Sequence, residues 1–213
     1  MYSKLDSIGS ARARYYRRSI ARTIKVDKWY FFFSLCYFSG VFLGAEGVRW
    51  IAQPVRESIS YLCTGFLEAR TAQTLQQTAL SSFGSAFWLV ALLFLLGFCA
   101  ISMPLIPMAV LFKGLGYGAT MSALLQSGEF STMAVCLLII PFAVASGAVL
   151  ICAARYSMEL SLCCFSVFRG ERPAKEPEIG QYCRTFLGLT LLTALAAVAD
   201  AFWYSGAAAN LLL

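Results

Sequence analysis

The sequence predicts an all-α polytopic membrane protein, with about five membrane-spanning helices in one bundle. Two observations predict the class. Of the 213 residues, 59% are hydrophobic and 13% charged, whereas a soluble domain averages about 45–50% apolar and roughly 25% charged. The apolar residues also fall in runs near the length a bilayer-crossing helix needs, about 20 residues. A third observation orients the bundle. Residues 1–28 hold Lys4, Arg12, Arg14, Arg17, Arg18, Arg22, Lys25 and Lys28 against Asp6 and Asp27, so this arm carries the whole net charge of +6. Basic arms often bind nucleic acid, but here an apolar run starts at Trp29, directly after the arm. It therefore reads as a cytoplasmic retention signal touching anionic lipid, with no nucleic-acid partner.

The first span is "WYFFFSLCYFSGVFLGAEG", residues 29–47. It is longer than the roughly 7–15 apolar residues of a signal peptide, and "LGAEG" is a poor cleavage site. An uncleaved anchor is expected. Gly40 and Gly44 stand four apart, a small-xxx-small face that lets another helix approach.

An outer loop, 48–82, follows. Ile51, Val55, Ile59, Leu62 and Phe66 recur every three or four residues, which predicts an amphipathic helix starting near Pro54. That helix either lies on the membrane and covers the bundle or holds a partner. The polar, small stretch 70–82 reads as a connector. A loop of this size cannot house a separate enzyme domain.

The block from Phe83 to Gln126 has Lys113 as its only charge. As one helix it would reach about 66 Å, twice the hydrocarbon thickness of about 30 Å, so it must turn back. A turn at Lys113 would leave a second arm too short to cross. A turn at "SMPLIP", 102–107, leaves arms 83–101 and 108–126, and Pro104 and Pro107 suit it by disfavouring helix before them. Lys113 then sits about two turns inside the cytoplasmic face. It either snorkels to the interface or pairs with an acid or with carbonyls inside the bundle. Gly114 and Gly118 repeat the small-xxx-small spacing, and with Gly116 between them the three glycines are expected to let this span pack tightly in the bundle.

The fourth span, 130–154, contains Pro141, and the last covers 183–204. The cytoplasmic loop near 155–182 carries Arg155, Arg169, Arg172 and Lys175, with Arg184 just beyond it. The outer loop has Arg49, Arg56 and Arg70, and the outer turn 127–129 has no cation. The positive-inside rule supports a cytoplasmic N-terminus.

Several chemistries lack their residues. Histidine is absent, which removes His-based triads and His metal sites. The eight cysteines mostly fall in apolar spans and contain no CxxC. They read as small hydrophobes, with acylation of Cys163–Cys164 as an alternative. No Walker or GxGxxG loop in a soluble setting occurs. No catalytic residue, cofactor site or metal site is therefore expected. Asp200 and Glu46 lie near the outer ends of their spans. Each is a solvated terminus, a polar link between spans, or part of a solute or proton path. Glu159 follows Arg155 by four, so the two can pair on one helix face.

The stretch "GFCAISMPLIPMAVLFKGLGYGATMSALL", 97–125, resembles stage II sporulation protein M. A glycine, an apolar pair, a proline, an apolar run and Phe-Lys-Gly with spaced glycines carry the likeness. The basic N-terminus, the first span ending "FLGA", the proline in "LLIIPFAVASG" (137–147) and the ending "AAVADAFWYS" (196–205) fit too. Asp200 stands where members of the family more often have glutamate. The resemblance covers roughly residues 29–208. It implies a non-catalytic, multi-pass protein of the bacterial cell membrane, which anchors two peptidoglycan hydrolases, stage II sporulation proteins D and P, during engulfment. A homo-oligomer stays open. The other reading from the residues is a small transporter or permease-like subunit using Lys113 and an intramembrane acid.

Overall fold

The computed structural model describes residues 28–51, 73–127, 132–170 and 179–211, with the isolated positions 55, 58, 61, 62 and 65. The apolar runs become five helices: α1 (Lys28–Trp50), α2 (Leu75–Gly97), α3 (Leu105–Ser127), α4 (Thr132–Phe168) and α5 (Ile179–Leu211). All five contain stretches long and apolar enough to cross a membrane. The protein is a multi-pass helical membrane protein. The arm 1–27 lies outside the described residues, as do Ile59 and Phe66 of the outer loop.

The element bounds correct the sequence reading in three places. Helix α2 begins at Leu75, inside the stretch expected as a connector. Its start is set locally: Gln77 Oε1 accepts the Thr74 backbone N–H at 3.1 Å, which is one half of a capping box. The turn into α3 spans 98–104, earlier than the expected 102–107. Pro104 ends that turn, but Pro107 lies in the first turn of α3, where its missing N–H would have no helical acceptor anyway. Finally, 155–168 is helical, although it was expected within a loop. Helix α4 ends at Phe168, and two residues on the chain turns away at Gly170, whose φ of 74° suits a residue without Cβ.

The contacts give each helix a direction. Helices α1 and α3 run parallel, with Tyr37 beside Gly114 and Val41 beside Gly118. Helices α2 and α4 are also parallel, because Ser157 reaches Leu93 and Ser161 reaches Cys99. Helix α5 opposes α2, with Tyr182 at Phe94 and Asp200 at Ser82. The buried core runs through the bundle from Phe33 and Tyr37 to Leu93, Val110, Ala153 and Phe186. The outward faces of α1 and α5 are apolar, for example Phe38, Phe42, Leu191 and Leu195. Lipid solvates such faces.

Candidate functional site

Lipid tails are as apolar as leucine, so close packing and hydrogen bonds must hold membrane helices together. The α1–α3 seam uses the first device. An added Cβ at Gly40 or Gly44 would overlap the carbonyl oxygen of Leu111 or Leu115. One at Gly114 or Gly118 would overlap that of Tyr37 or Val41. The pattern is reciprocal: each helix offers two glycines a turn apart to the other's backbone. The hydrogen in place of each Cβ points at a carbonyl oxygen, the geometry of a weak Cα–H···O bond.

Gly116 differs. It faces outward, and nothing lies within 4 Å of an added Cβ, so the expectation that it packs within the bundle is wrong. On a helix its offset of two from Gly114 turns it to another face. Pro141 is likewise exposed within the continuous helix α4. It makes no turn, and membrane helices accommodate such prolines.

Hydrogen bonds supply the second device. The Tyr37 hydroxyl donates to the Ala143 carbonyl of α4 at 2.9 Å, and the Tyr117 and Ser146 hydroxyls meet at 2.9 Å. These bonds tie α4 across both members of the glycine pair. Gly147 makes room for the Tyr37 ring, since an added Cβ would lie 2.8 Å from its Cζ. On the other side, Tyr182 donates to the Phe94 carbonyl at 2.9 Å and Ser157 to Leu93 at 2.7 Å. Ser102 holds the turn beneath them. Its hydroxyl bonds to the carbonyls of Leu96 and Cys99 and meets the Ser161 hydroxyl at 3.1 Å.

The charged residues separate clearly. Asp200 is 6% exposed and accepts a hydrogen bond from the Ser82 hydroxyl at 2.9 Å. Its reading as a solvated terminus is overturned; it links α5 to α2. Glu46 pairs with Arg49 at 3.0 Å on the exposed end of α1. Arg155 pairs with Glu159 at 3.0 Å, and its guanidinium lies over the Tyr30 and Tyr156 rings. Lys113 is partly buried with its Nζ 4.9 Å from the Tyr117 ring centre. No carboxylate among the described residues forms an ion pair with it.

In the outer segment Ile51 is partly buried, whereas Val55 and Leu62 are exposed. Among the described residues no group of three or more His, Cys, Asp or Glu could hold a metal ion. The chemistry of this arrangement is cohesion between helices.

The family model described as Stage II sporulation protein M matches residues 31–204, from the start of α1 almost to the end of α5. The chain belongs to the stage II sporulation protein M family. It is thus a multi-pass membrane protein of a sporulation family. No curated protein and no solved structure matches the chain.

The residues missed by sequence reasoning in this family member are mostly hydroxyls: Tyr37, Ser82, Ser102, Tyr117, Ser146, Ser157, Ser161 and Tyr182. Small polar residues recurring within apolar runs were the available signal, since a hydroxyl in lipid needs a partner. The Thr74-to-Gln77 spacing was a second signal, for the start of α2.

Proposed function

We propose that the protein is a non-catalytic scaffold of the bacterial cell membrane, which anchors peptidoglycan hydrolases for engulfment during endospore formation. Stage II sporulation proteins D and P are the partners this reading names. Family membership supports the setting. The observation that carries the mechanical part is the reciprocal glycine seam of α1 and α3, locked to α4 by Tyr37 and Tyr117. A bundle whose intramembrane hydroxyls join one helix to the next suits a fixed platform. The cations of the Lys28 end support a cytoplasmic position for that end by the positive-inside rule, in which case the outer segment faces the wall.

The test is a detergent pull-down of the tagged full-length protein from sporulating cells, with co-eluting proteins identified by mass spectrometry. Recovery of both hydrolases is expected. Recovery of neither, with transport subunits in their place, would overturn the reading.

A further inference from the structure

Two features of α3 lack a charge partner or a packing partner among the described residues, and they share one side of the helix. The first is Lys113. It follows Leu105 by just over two turns, about 12 Å along the helix axis at 1.5 Å per residue. Its Nζ does not extend to the near end of the helix but stays over the Tyr117 ring at 4.9 Å. That ring is itself engaged through its hydroxyl with Ser146. A cation at this depth is costly in hydrocarbon, and such groups normally meet a counter-charge or mark a functional contact. No carboxylate among the described residues supplies one.

The second feature is Gly116, three residues on and therefore adjacent to Lys113 on the helix surface. The other two glycines of α3 are filled by the backbone of α1, but Gly116 opens onto empty space. Thr120 follows one turn later with its hydroxyl folded back onto the Gly116 carbonyl at 2.9 Å, so it presents little bulk. Met108 and Phe112 are exposed beside them. The result is a shallow apolar notch with one positive charge at its edge. Its shape fits a helix, and its charge fits an acid.

We propose that the Lys113–Gly116 face of α3 docks a membrane-spanning helix of one of the anchored hydrolases, which presents a carboxylate to Lys113. The inference rests on the anchoring reading above and adds the site and its chemistry. Gly116 lets the incoming backbone approach, as Gly114 and Gly118 do for α1. Lys113 selects for a span bearing an acid, because an apolar span would leave the cation without a counter-charge.

The experiment co-expresses the full-length tagged protein with both hydrolases and measures their recovery after detergent extraction. Wild type is compared with Lys113→Gln, Lys113→Arg and Gly116→Leu. A drop of about tenfold or more is expected for Lys113→Gln, the effect of truncating one partner of a buried charge pair, with retention for Lys113→Arg. Gly116→Leu fills space that is open in the isolated chain, so the protein itself should accumulate normally while recovery falls. Should Lys113→Gln fail to accumulate, Gly116→Leu decides alone. Undiminished recovery by Lys113→Gln or by a well-folded Gly116→Leu would overturn the inference and leave the anchoring reading standing. So would a loss of co-purified phosphatidylglycerol in Lys113→Gln with hydrolase recovery intact, because Lys113 would then serve a lipid headgroup. A wild-type protein that recovers neither hydrolase overturns the anchoring reading and this inference together.

Discussion

Gly118 of α3 and Val41 of α1 compete for one space: a Cβ on the glycine would overlap the valine's carbonyl oxygen. Side chains can rotate away from an intruder, but backbone cannot unless a helix moves. The obstacle repeats at Gly40, Gly44 and Gly114, so the two helices cannot separate at one point and stay closed at the others. Overpacking a tight core costs about 1–3 kcal/mol, and Gly118→Ala and Gly44→Ala should reach the upper part of that range. Gly116→Ala provides the contrast. It meets open space, and replacing a helical glycine by alanine removes a cost of roughly 0.5–1 kcal/mol. Thermal unfolding in detergent should therefore order the variants Gly116→Ala, wild type, Gly118→Ala from most to least stable. Equal midpoints for the two alanine variants would contradict the seam.

The Ser82–Asp200 bond is the next place to press. Interhelical polar bonds in membranes average about 0.6 kcal/mol, up to about 1.7. Both residues are buried, so a value near the upper end is expected. A double-mutant cycle of Ser82→Ala with Asp200→Ala, in which each change removes the bond, isolates the coupling from whatever else each residue touches. A coupling indistinguishable from zero would mean that the bond does not hold α2 to α5.

Tyr182 allows ring and hydroxyl to be told apart. Its ring lies 4.7 Å from that of Phe186 and 5.3 Å from that of Phe94, centre to centre. Its hydroxyl sits against Gly97 while donating to Phe94. Tyr182→Phe keeps the rings and should cost about 1 kcal/mol, the usual net worth of one hydrogen bond. Tyr182→Ala also empties the cluster and should cost about 3–5 kcal/mol, as large-to-small core changes of aromatics do. Chemical denaturation of the detergent-solubilised protein would measure both. A similar loss in the two variants would remove the ring cluster from the account.

The five spans were legible because hydropathy and length are local properties of the chain. The spacing of Gly40 with Gly44 and of Gly114 with Gly118 was legible for the same reason. Their partnership was not, since spacing marks a face without naming what it meets. Gly116 was misread because three glycines in a row of alternate positions look like one feature. A helix turns by about 100° per residue, which sends the middle one elsewhere. Asp200 was misread because its partner Ser82 lies far off in sequence, within a stretch whose polarity suggested a connector. The helical start at Leu75 brings Ser82 into the bundle, and Asp200 becomes an interior group.

The crossing pattern predicts where each end of the molecule emerges. Parallel α1 and α3, parallel α2 and α4, α5 opposed to α2, and α1 opposed to α4, with Tyr37 at Ala143 and Tyr30 at Arg155, require five alternating crossings. The Lys28 end of α1 then shares a face with Gly97, Leu105, Phe168 and Ile179. Trp50, Leu75, Ser127 and Gly206 emerge on the other. Lys28, Arg155, Arg169 and Arg184 belong to the first face, while Arg49 lies on the second with Glu46. The positive-inside rule predicts that the first face is cytoplasmic. Cys99 and Cys183 are exposed near that face. In a background with the other cysteines removed, a membrane-impermeant maleimide should label them only after cells are opened. A cysteine introduced as Ser205→Cys should react in intact cells, because Ser205 is exposed near the far end of α5. Reversed labelling would invert the orientation and move the outer segment away from the wall. Labelling of Cys183 and Ser205→Cys from the same side would show that α5 does not cross.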